Sequence, residues 1–364
     1  MDLSTDPLAE RLGRAVMSAL SRCSGGEGAP GVEETWACLR DIDAPAFEAP
    51  IDAGGYDLGL AGGAEVAAGL GRRAAPDVYS GGALAVDALS ARGDRPERTA
   101  ELAGGPAPVR LTGFDALAAG RLRTRLEPDG DGWRLAGALV RDRDVTDDTL
   151  WCLPFDDGGR IGLALVADKR LPAPERPGGG DLAAQVDRIE VDGHRIEVAD
   201  VIGHLGTGRP LSDPDAVLGR SRVRQAAYLY GLARRAHELT VEHANARRQF
   251  GKSLMEFQAV SFPLARLGVA LSAVRLSLAR AAWLADHGRP FALAAVETLA
   301  LAAETALATV RDAVQFHGAR GMSTLAPVHG YYLAAWREVT RMGSVESLWR
   351  EAGTLRLRGD VPDG

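Results

Sequence analysis

Cysteine is scarce in this sequence: Cys23, Cys38 and Cys152 are the only three in 364 residues. They are far apart and odd in number, and neither CxxC nor HExxH spacing occurs, so the sequence argues against a zinc site and against a disulfide framework. A reducing, cytoplasmic setting is the matching expectation. Basic charge is also in deficit. The formal net charge is −7, which argues against nucleic acid as a partner, because phosphate binding needs an excess of Lys and Arg. No unbroken apolar run is long enough to argue for a membrane span. The longest stretch, 292–310, is interrupted by Glu297 and Glu304 and reads as a buried helix. The N-terminal MDLSTDPLAERLGR is acidic and helical, and does not read as a signal peptide. No internal repeat of 20–50 residues is visible.

What remains is an ordinary soluble composition, 46% hydrophobic and 25% charged. A chain of this length is expected to form two or three domains with a substantial core. Three parts are distinguishable. Residues 1–103 read as helical: Leu8, Leu12 and Val16 share a face. Gly54-Gly55 and Gly62-Gly63 punctuate the middle, and a second helix spans about Ala64 to Leu70, before Pro76. Residues 104–213 read as a small antiparallel β domain. Trp133, Leu135, Gly137 and Leu139 alternate after an Asp129-Gly130-Asp131-Gly132 turn. Further strands are expected at Leu150–Leu153, Ile161–Val166, Val186–Val191 and Arg195–Ala199. Residues 214–364 read as a helical bundle. Val223, Ala226, Ala227 and Tyr230 fit one face. Val260, Leu264, Leu267, Leu271, Val274, Leu278, Ala281 and Ala285 repeat at spacings of four and three, as in a bundle seam. Ser253 and Glu256 form a capping-box signature at its start, and Pro263 marks a kink in the first turns. A third helix is expected from Phe291 to Phe316.

Two segments are specific. One is Ala246-Arg247-Arg248-Gln249-Phe250-Gly251-Lys252, followed by Glu256-Phe257-Gln258. The other is Asp312-Ala313-Val314-Gln315-Phe316-His317-Gly318-Ala319-Arg320-Gly321-Met322. Arg247 offers a planar fork suited to phosphate, Phe250 a flat apolar face, and Gln315 a hydrogen-bond donor. Gly251 reads as a helix end, and Gly318 and Gly321 as points of close backbone approach to a ligand. Together, at this separation, the two segments resemble the C-terminal bundle of acyl-CoA dehydrogenases. The likeness is close from about 219 to 345 and weaker but collinear over Trp36–Pro76 and Asp131–Leu153. It implies the acyl-CoA dehydrogenase fold: an N-terminal α-helical domain, a middle small β domain and a C-terminal four-helix bundle. It also implies FAD as cofactor, an acyl-CoA or other acyl thioester as substrate, and a dimer built from the C-terminal helices. In the family the matching residues reach across the subunit interface, which assigns Arg247, Gln249, Phe250, Gln315 and Gly318 to FAD bound in trans.

The pattern breaks at the chemistry. In most of the family a Glu before a Gly-Thr pair removes the α-proton of the thioester. Gap-free alignment from Gln315 places Met342 there, followed by Gly343-Ser344, so the flavin-side pair is kept and the carboxylate is lost. A second subgroup carries its base just before an Arg on the first bundle helix, where this chain has Ser221-Arg222. Losing a general base costs about 10²–10⁴ in rate. Glu346, one helical turn beyond Met342, is the one carboxylate candidate left. The family's ring-lining Thr-Glu-Pro and Trp-Ile-Thr sequences are also missing. Val109-Arg110-Leu111-Thr112-Gly113 and Gly137-Ala138-Leu139-Val140 stand in their places. These losses concern a subunit's own flavin, whereas the retained motifs serve a neighbour's. That asymmetry resembles the non-catalytic subunit of the heteromeric acyl-CoA dehydrogenases of actinobacterial steroid degradation. The expectation is a subunit that completes an FAD site for a Glu-bearing paralogue or a second copy. The alternative is a repurposed scaffold without FAD, binding an acyl thioester or performing non-redox chemistry.

Overall fold

Apolar residues at helical spacing open the chain as α1 (Pro7–Cys23), α2 (Val32–Arg40), α3 (Gly59–Arg72), α4 (Ser80–Arg92) and α5 (Pro96–Ala103). The computed structural model describes residues 7–23, 29–93, 95–156, 161–172, 186–197, 200–202 and 214–358. On α1, Val16 and Leu20 are fully buried. Helix α3 starts five residues before Ala64 and runs through Gly62-Gly63, which are therefore not a break. A Cβ on Gly63 would lie 1.7 Å from Glu48 Oε1. Glycine stands there to admit a carboxylate, at a helix-propensity cost of about 1 kcal/mol. The cysteine expectation is also corrected. Cys38, on α2, is disulfide-bonded, because separation along the sequence does not bound distance once helices pack. Cys152 is free and buried, and burial pushes its thiol up to about 12.

The middle region contains β1 (Val109–Leu111), α6 (Phe114–Ala118), β2 (Arg125–Asp129), β3 (Gly132–Ala136), β4 (Ala138–Asp142), β5 (Leu150–Asp156), β6 (Ile161–Ala167), β7 (Val186–Glu190), β8 (His194–Ile196) and β9 (Val201–Ile202). Residues 198–199 of the expected Arg195–Ala199 strand lie outside the described residues. The main sheet runs β8-β3-β2-β5-β6-β9, with β1 also paired to β5. The β1–β5 pair is parallel, Val109↔Leu150 to Leu111↔Cys152, so the sheet is mixed rather than antiparallel. The β2–β4 excursion supplies the long connection that a parallel pair needs. The alternation through Trp133 and Leu139 is not one strand. Gly137, at φ 115°, splits it into β3 and β4, and β4 leaves the main sheet to pair with β7. A Cβ on Gly137 would come within 2.6 Å of the Arg123 carbonyl, so the corner requires glycine. Trp151 is fully buried, its Nε1 donating to Asp168 Oδ1 at 2.7 Å.

The rest is α7 (Pro214–Ala246), a hairpin of β10 (Arg248–Gln249) and β11 (Lys252–Ser253), α8 (Gln258–Asp286), α9 (Ala292–His317), α10 (Val328–Glu338) and α11 (Val345–Leu357). The expected seam on α8 is real: Leu264, Leu267, Leu271, Val274, Leu278 and Ala281 are buried. The Ser253/Glu256 capping box forms, but it caps a one-turn 3-10 helix, Leu254–Glu256, ahead of α8. Glu297 and Glu304 leave α9 at its surface, where they bond Arg356 and Trp349. Buried charges tie the N-terminal helices to α7. Arg224 Nε and Nη2 donate to Glu48 at 2.7 and 2.6 Å, and Nη2 also reaches Asp87 Oδ2 at 2.6 Å. Arg220 bonds the same two carboxylates, and Tyr79 donates its hydroxyl to Glu48 at 2.7 Å.

Candidate functional site

Helix α7 stops at Ala246, and the chain reverses through the β10–β11 hairpin. Its two central residues, Phe250 and Gly251, both have positive φ, 50° and 81°. That is the geometry of a two-residue primed turn, whose twist matches the flanking strands. Gly251 is thus the second turn residue, not the end of a helix. A phenylalanine in this region costs on the order of 1 kcal/mol. It holds its ring out to solvent, 93% exposed, with only an edge contact to Phe257 at 6.5 Å. Arg247, Arg248 and Gln249 are exposed beside it.

The second motif lies at the C-terminal end of α9. Gln315 and Gly318 are exposed. Gly318 needs its glycine for backbone angle alone (φ 62°, ψ −145°), since a Cβ there would meet nothing. Gly321 is different. It is buried, and its Cβ would lie 2.6 Å from the Val314 carbonyl. It serves internal packing rather than close approach of a ligand. The two motifs meet through His243 and His317, whose rings stack at 4.1 Å and 21°. His317 is therefore a packed residue at the junction. Burial lowers both imidazoles. The neighbouring His317, Arg247 and Arg320 lower His243 further.

The segments expected to line a flavin ring also meet, in an unexpected way. Strand β1, strand β4 and the turn after α10 are joined by buried ion pairs. Arg110 Nη2 lies 2.5 Å from Asp142 Oδ2, and Arg341 Nη2 lies 3.2 Å from the same oxygen. Arg341 also donates to the Leu111 carbonyl at 2.6 Å and to Glu338 Oε1 at 2.8 Å. Arg337 contacts Glu338 at 3.1 Å. Thr112 Oγ1 donates to the Val140 carbonyl. Burial would raise the Glu338 carboxyl, but Arg341 and Arg337 outweigh it and hold it down to about 2. Asp142 is likewise held below the ordinary value against burial by Arg110 and Arg341. Sequence reasoning missed this network. Its one available signal was an arginine inside the apolar strand Val109-Arg110-Leu111.

Met342 follows Arg341 directly and is buried in the main core. Gly343 is at φ 126°. Ser344 caps α11, its side chain accepting from the Ser347 amide at 3.2 Å. Glu346 is exposed on the first turn of α11 and is not brought to the buried position of Met342. Ser221 is fully buried on α7, and among the described residues its hydroxyl has no hydrogen-bond partner. Gln225, one turn along, donates to the Glu338 carbonyl at 2.9 Å. Arg222 forms a two-pronged pair with Glu351 at 2.8 and 2.9 Å.

Residues 214–357 match the family model described as acyl-CoA dehydrogenase, C-terminal domain. The probable acyl-CoA dehydrogenase FadE25 of Mycobacterium tuberculosis is 29% identical over 231 residues, 61% of this chain and 58% of that protein. The corresponding protein of Mycobacterium leprae is 28% identical over 323 residues, 84% of this chain and 75% of that protein. The match to the first of these thus spans less than two thirds of its length. Among solved structures, the ChsE4–ChsE5 complex from Mycobacterium tuberculosis superposes with a TM-score of 0.81 at 24% identity, covering 98% of this chain and 99% of that one. Residues 214–357 thus carry the acyl-CoA dehydrogenase C-terminal domain, and the chain as a whole has the acyl-CoA dehydrogenase fold.

Proposed function

We propose that this chain is a subunit of an acyl-CoA dehydrogenase-type oxidoreductase acting on an acyl thioester, and that it completes an FAD site seated mainly in an adjoining chain. When bound, FAD would supply the acceptor for the hydride leaving the β-carbon. The supporting observation is an asymmetry of exposure. Arg247, Gln249, Phe250, Gln315 and Gly318 face outward, free to meet a neighbour's cofactor. The chain's own ring-lining segments are instead bound to one another by Arg110, Asp142, Arg341 and Glu338. A planar ring laid between these segments would separate buried charges that now pair with one another. The residues present therefore fit the diphosphate end of FAD and do not fit its ring. Met342 has no proton-accepting group, Ser221 has only a hydroxyl, and Glu346 stands outside, so the base must come from the partner.

The partner is a Glu-bearing paralogue, since a second copy of this chain would bring neither the base nor a seat for the ring. Helix α8 offers the docking face: Phe262, Val269 and Leu276 stand on one exposed side at helical spacing. The test is co-purification with a Glu-bearing paralogue, followed by flavin absorbance. The complex retains flavin, and Arg247→Ala or Phe250→Ala in this chain lowers its occupancy at least several-fold. Unchanged occupancy in both variants overturns the reading. A complex that never takes flavin moves the conclusion to the repurposed scaffold.

A further inference from the structure

Away from both motifs, a cavity of about 780 Å³ lies between the end of α2, the turns that follow it and α5. Its volume is in the range of small-molecule sites. Four lining residues are polar: Arg40, Asp41, Asp43 and Tyr56. The other eight are alanine, glycine or proline, so no long apolar side chain fills the space. Among the described residues the side chains of Arg40 and Asp41 have no ion-pair or hydrogen-bond partner, although they are adjacent and opposite in charge. Asp43 is held in place. It accepts from the Tyr56 hydroxyl at 3.2 Å, and its backbone has a φ of 55°, a conformation that costs about 1–2 kcal/mol outside glycine. The Tyr56 ring is braced edge-on by Phe47 at 6.1 Å. Trp36 stands one helical turn before Arg40, on the same side of α2. A Cβ on Gly105 would meet Trp36 Cζ2 at 3.3 Å and Pro45 Cγ at 2.8 Å, so the indole lies just beneath the wall formed by Pro45 and Gly104. Its Nε1, two bonds from Cζ2, is buried and among the described residues has no hydrogen-bond partner. A buried donor left unpaired is costly, and an acceptor entering beside Arg40 would meet both donors.

We propose that this cavity binds an α-amino acid with an apolar side chain. Arg40, supported by the Trp36 indole N–H, takes the carboxylate. Asp41 and Asp43 take the ammonium, and the alanine-rich wall takes the side chain. An anion alone would face two carboxylates, and a cation alone would face a guanidinium that no carboxylate compensates. A zwitterion answers both with charge-assisted hydrogen bonds. The cavity shares no residue with the flavin motifs, so the proposal is independent of the half-site.

The experiment titrates L-phenylalanine into the full chain, beside hydrocinnamate, which lacks the ammonium, and phenethylamine, which lacks the carboxylate. The readout is the indole N–H resonance of Trp36, assigned with Trp36→Phe. Equilibrium dialysis of labelled L-phenylalanine against the unaltered chain gives the affinity without any variant. L-Phenylalanine is expected to bind saturably and move the resonance. Each of the other two probes is expected to bind at least about tenfold more weakly, the loss of one charge-assisted contact. Arg40 and Asp41 are exposed, so substitutions there keep the fold. Arg40→Gln is expected to abolish the preference over phenethylamine, and Asp41→Asn the preference over hydrocinnamate. A Trp36 resonance that ignores L-phenylalanine, or a singly charged probe that binds as tightly as L-phenylalanine, overturns the proposal. So does a preference that survives both substitutions.

Discussion

Replacing Asp142 by alanine tests whether the seam between the β region and the bundle is held by its buried charges. Asp142 is almost fully buried and is the carboxylate shared by Arg110 and Arg341. Without it Arg341 keeps Glu338, while Arg110 keeps the Asp144 carbonyl at 2.9 Å, its place 6.0 Å over the Trp151 ring and a longer-range attraction to Glu338. Among the described residues Arg110 Nε already has no hydrogen-bond partner. Breaking a buried pair on one side costs about 3–5 kcal/mol, because the charge left behind is uncompensated. Removing both charges with Arg110→Met and Asp142→Leu should be nearly neutral, since desolvation offsets the attraction of the pair. Urea unfolding reads both. The expected result is a sharply lowered midpoint for Asp142→Ala with an unchanged slope, and recovery in the double variant. A loss under about 1 kcal/mol in Asp142→Ala is what a solvated surface pair would give. That outcome would refute a closed seam.

Acid should destabilise the chain in two stages. His243 and His317 are held below the ordinary 6.5, so their contribution is present above that pH and declines as pH falls through their folded values. Glu338 is held down to about 2 from 4.5, so its contribution is present above 4.5 and is lost as pH falls towards 2. Thermal melts across pH check both, and a stability that rises on acidification contradicts the assignment. Met342→Glu buries a carboxylate at a core position and is expected to cost about 2–4 kcal/mol without giving this chain activity alone. Turnover by that variant alone would show an open seam. Gly63→Ala forces a Cβ onto Glu48 Oε1 and should cost about 2–3 kcal/mol in urea unfolding, with no change if the carboxylate simply moves aside. Phe250→Gly relieves a positive φ and should stabilise the isolated chain by about 1 kcal/mol while lowering flavin retention in the complex. The two readouts must move in opposite directions.

Periodic features were legible in the sequence because they are local. The α8 seam from Leu264 to Ala281 follows from spacing alone, whereas the first motif segment, read as a helix end at Gly251, forms the hairpin after α7, and the second lies at the end of α9. Gly62-Gly63 misled, because glycine read as a breaker was instead making room for Glu48, a contact from outside the helix. Gly137 misled in the opposite sense, hiding a sheet corner inside an apparently continuous alternation. Cys38 was misjudged because helix packing, not sequence distance, brings cysteines together. The seam network was illegible for a plainer reason. Arg110, Asp142 and the Glu338–Arg341 pair lie far apart in the sequence, and charged residues on a strand or a helix end read as solvent-facing until the partner surface is known. The loss of a carboxylate at Met342 was visible. What the chain builds around it was not.

The central claim is that this chain completes a flavin site without holding the ring itself. The most direct measurement is the visible absorption spectrum of the full chain purified alone after incubation with excess FAD, set beside the spectrum after co-expression with a Glu-bearing paralogue. The account predicts a colourless chain alone and flavin bands in the paired sample. Near-stoichiometric flavin bound by the chain alone would contradict it, because a ring would then have found room where Arg110, Asp142 and Arg341 meet.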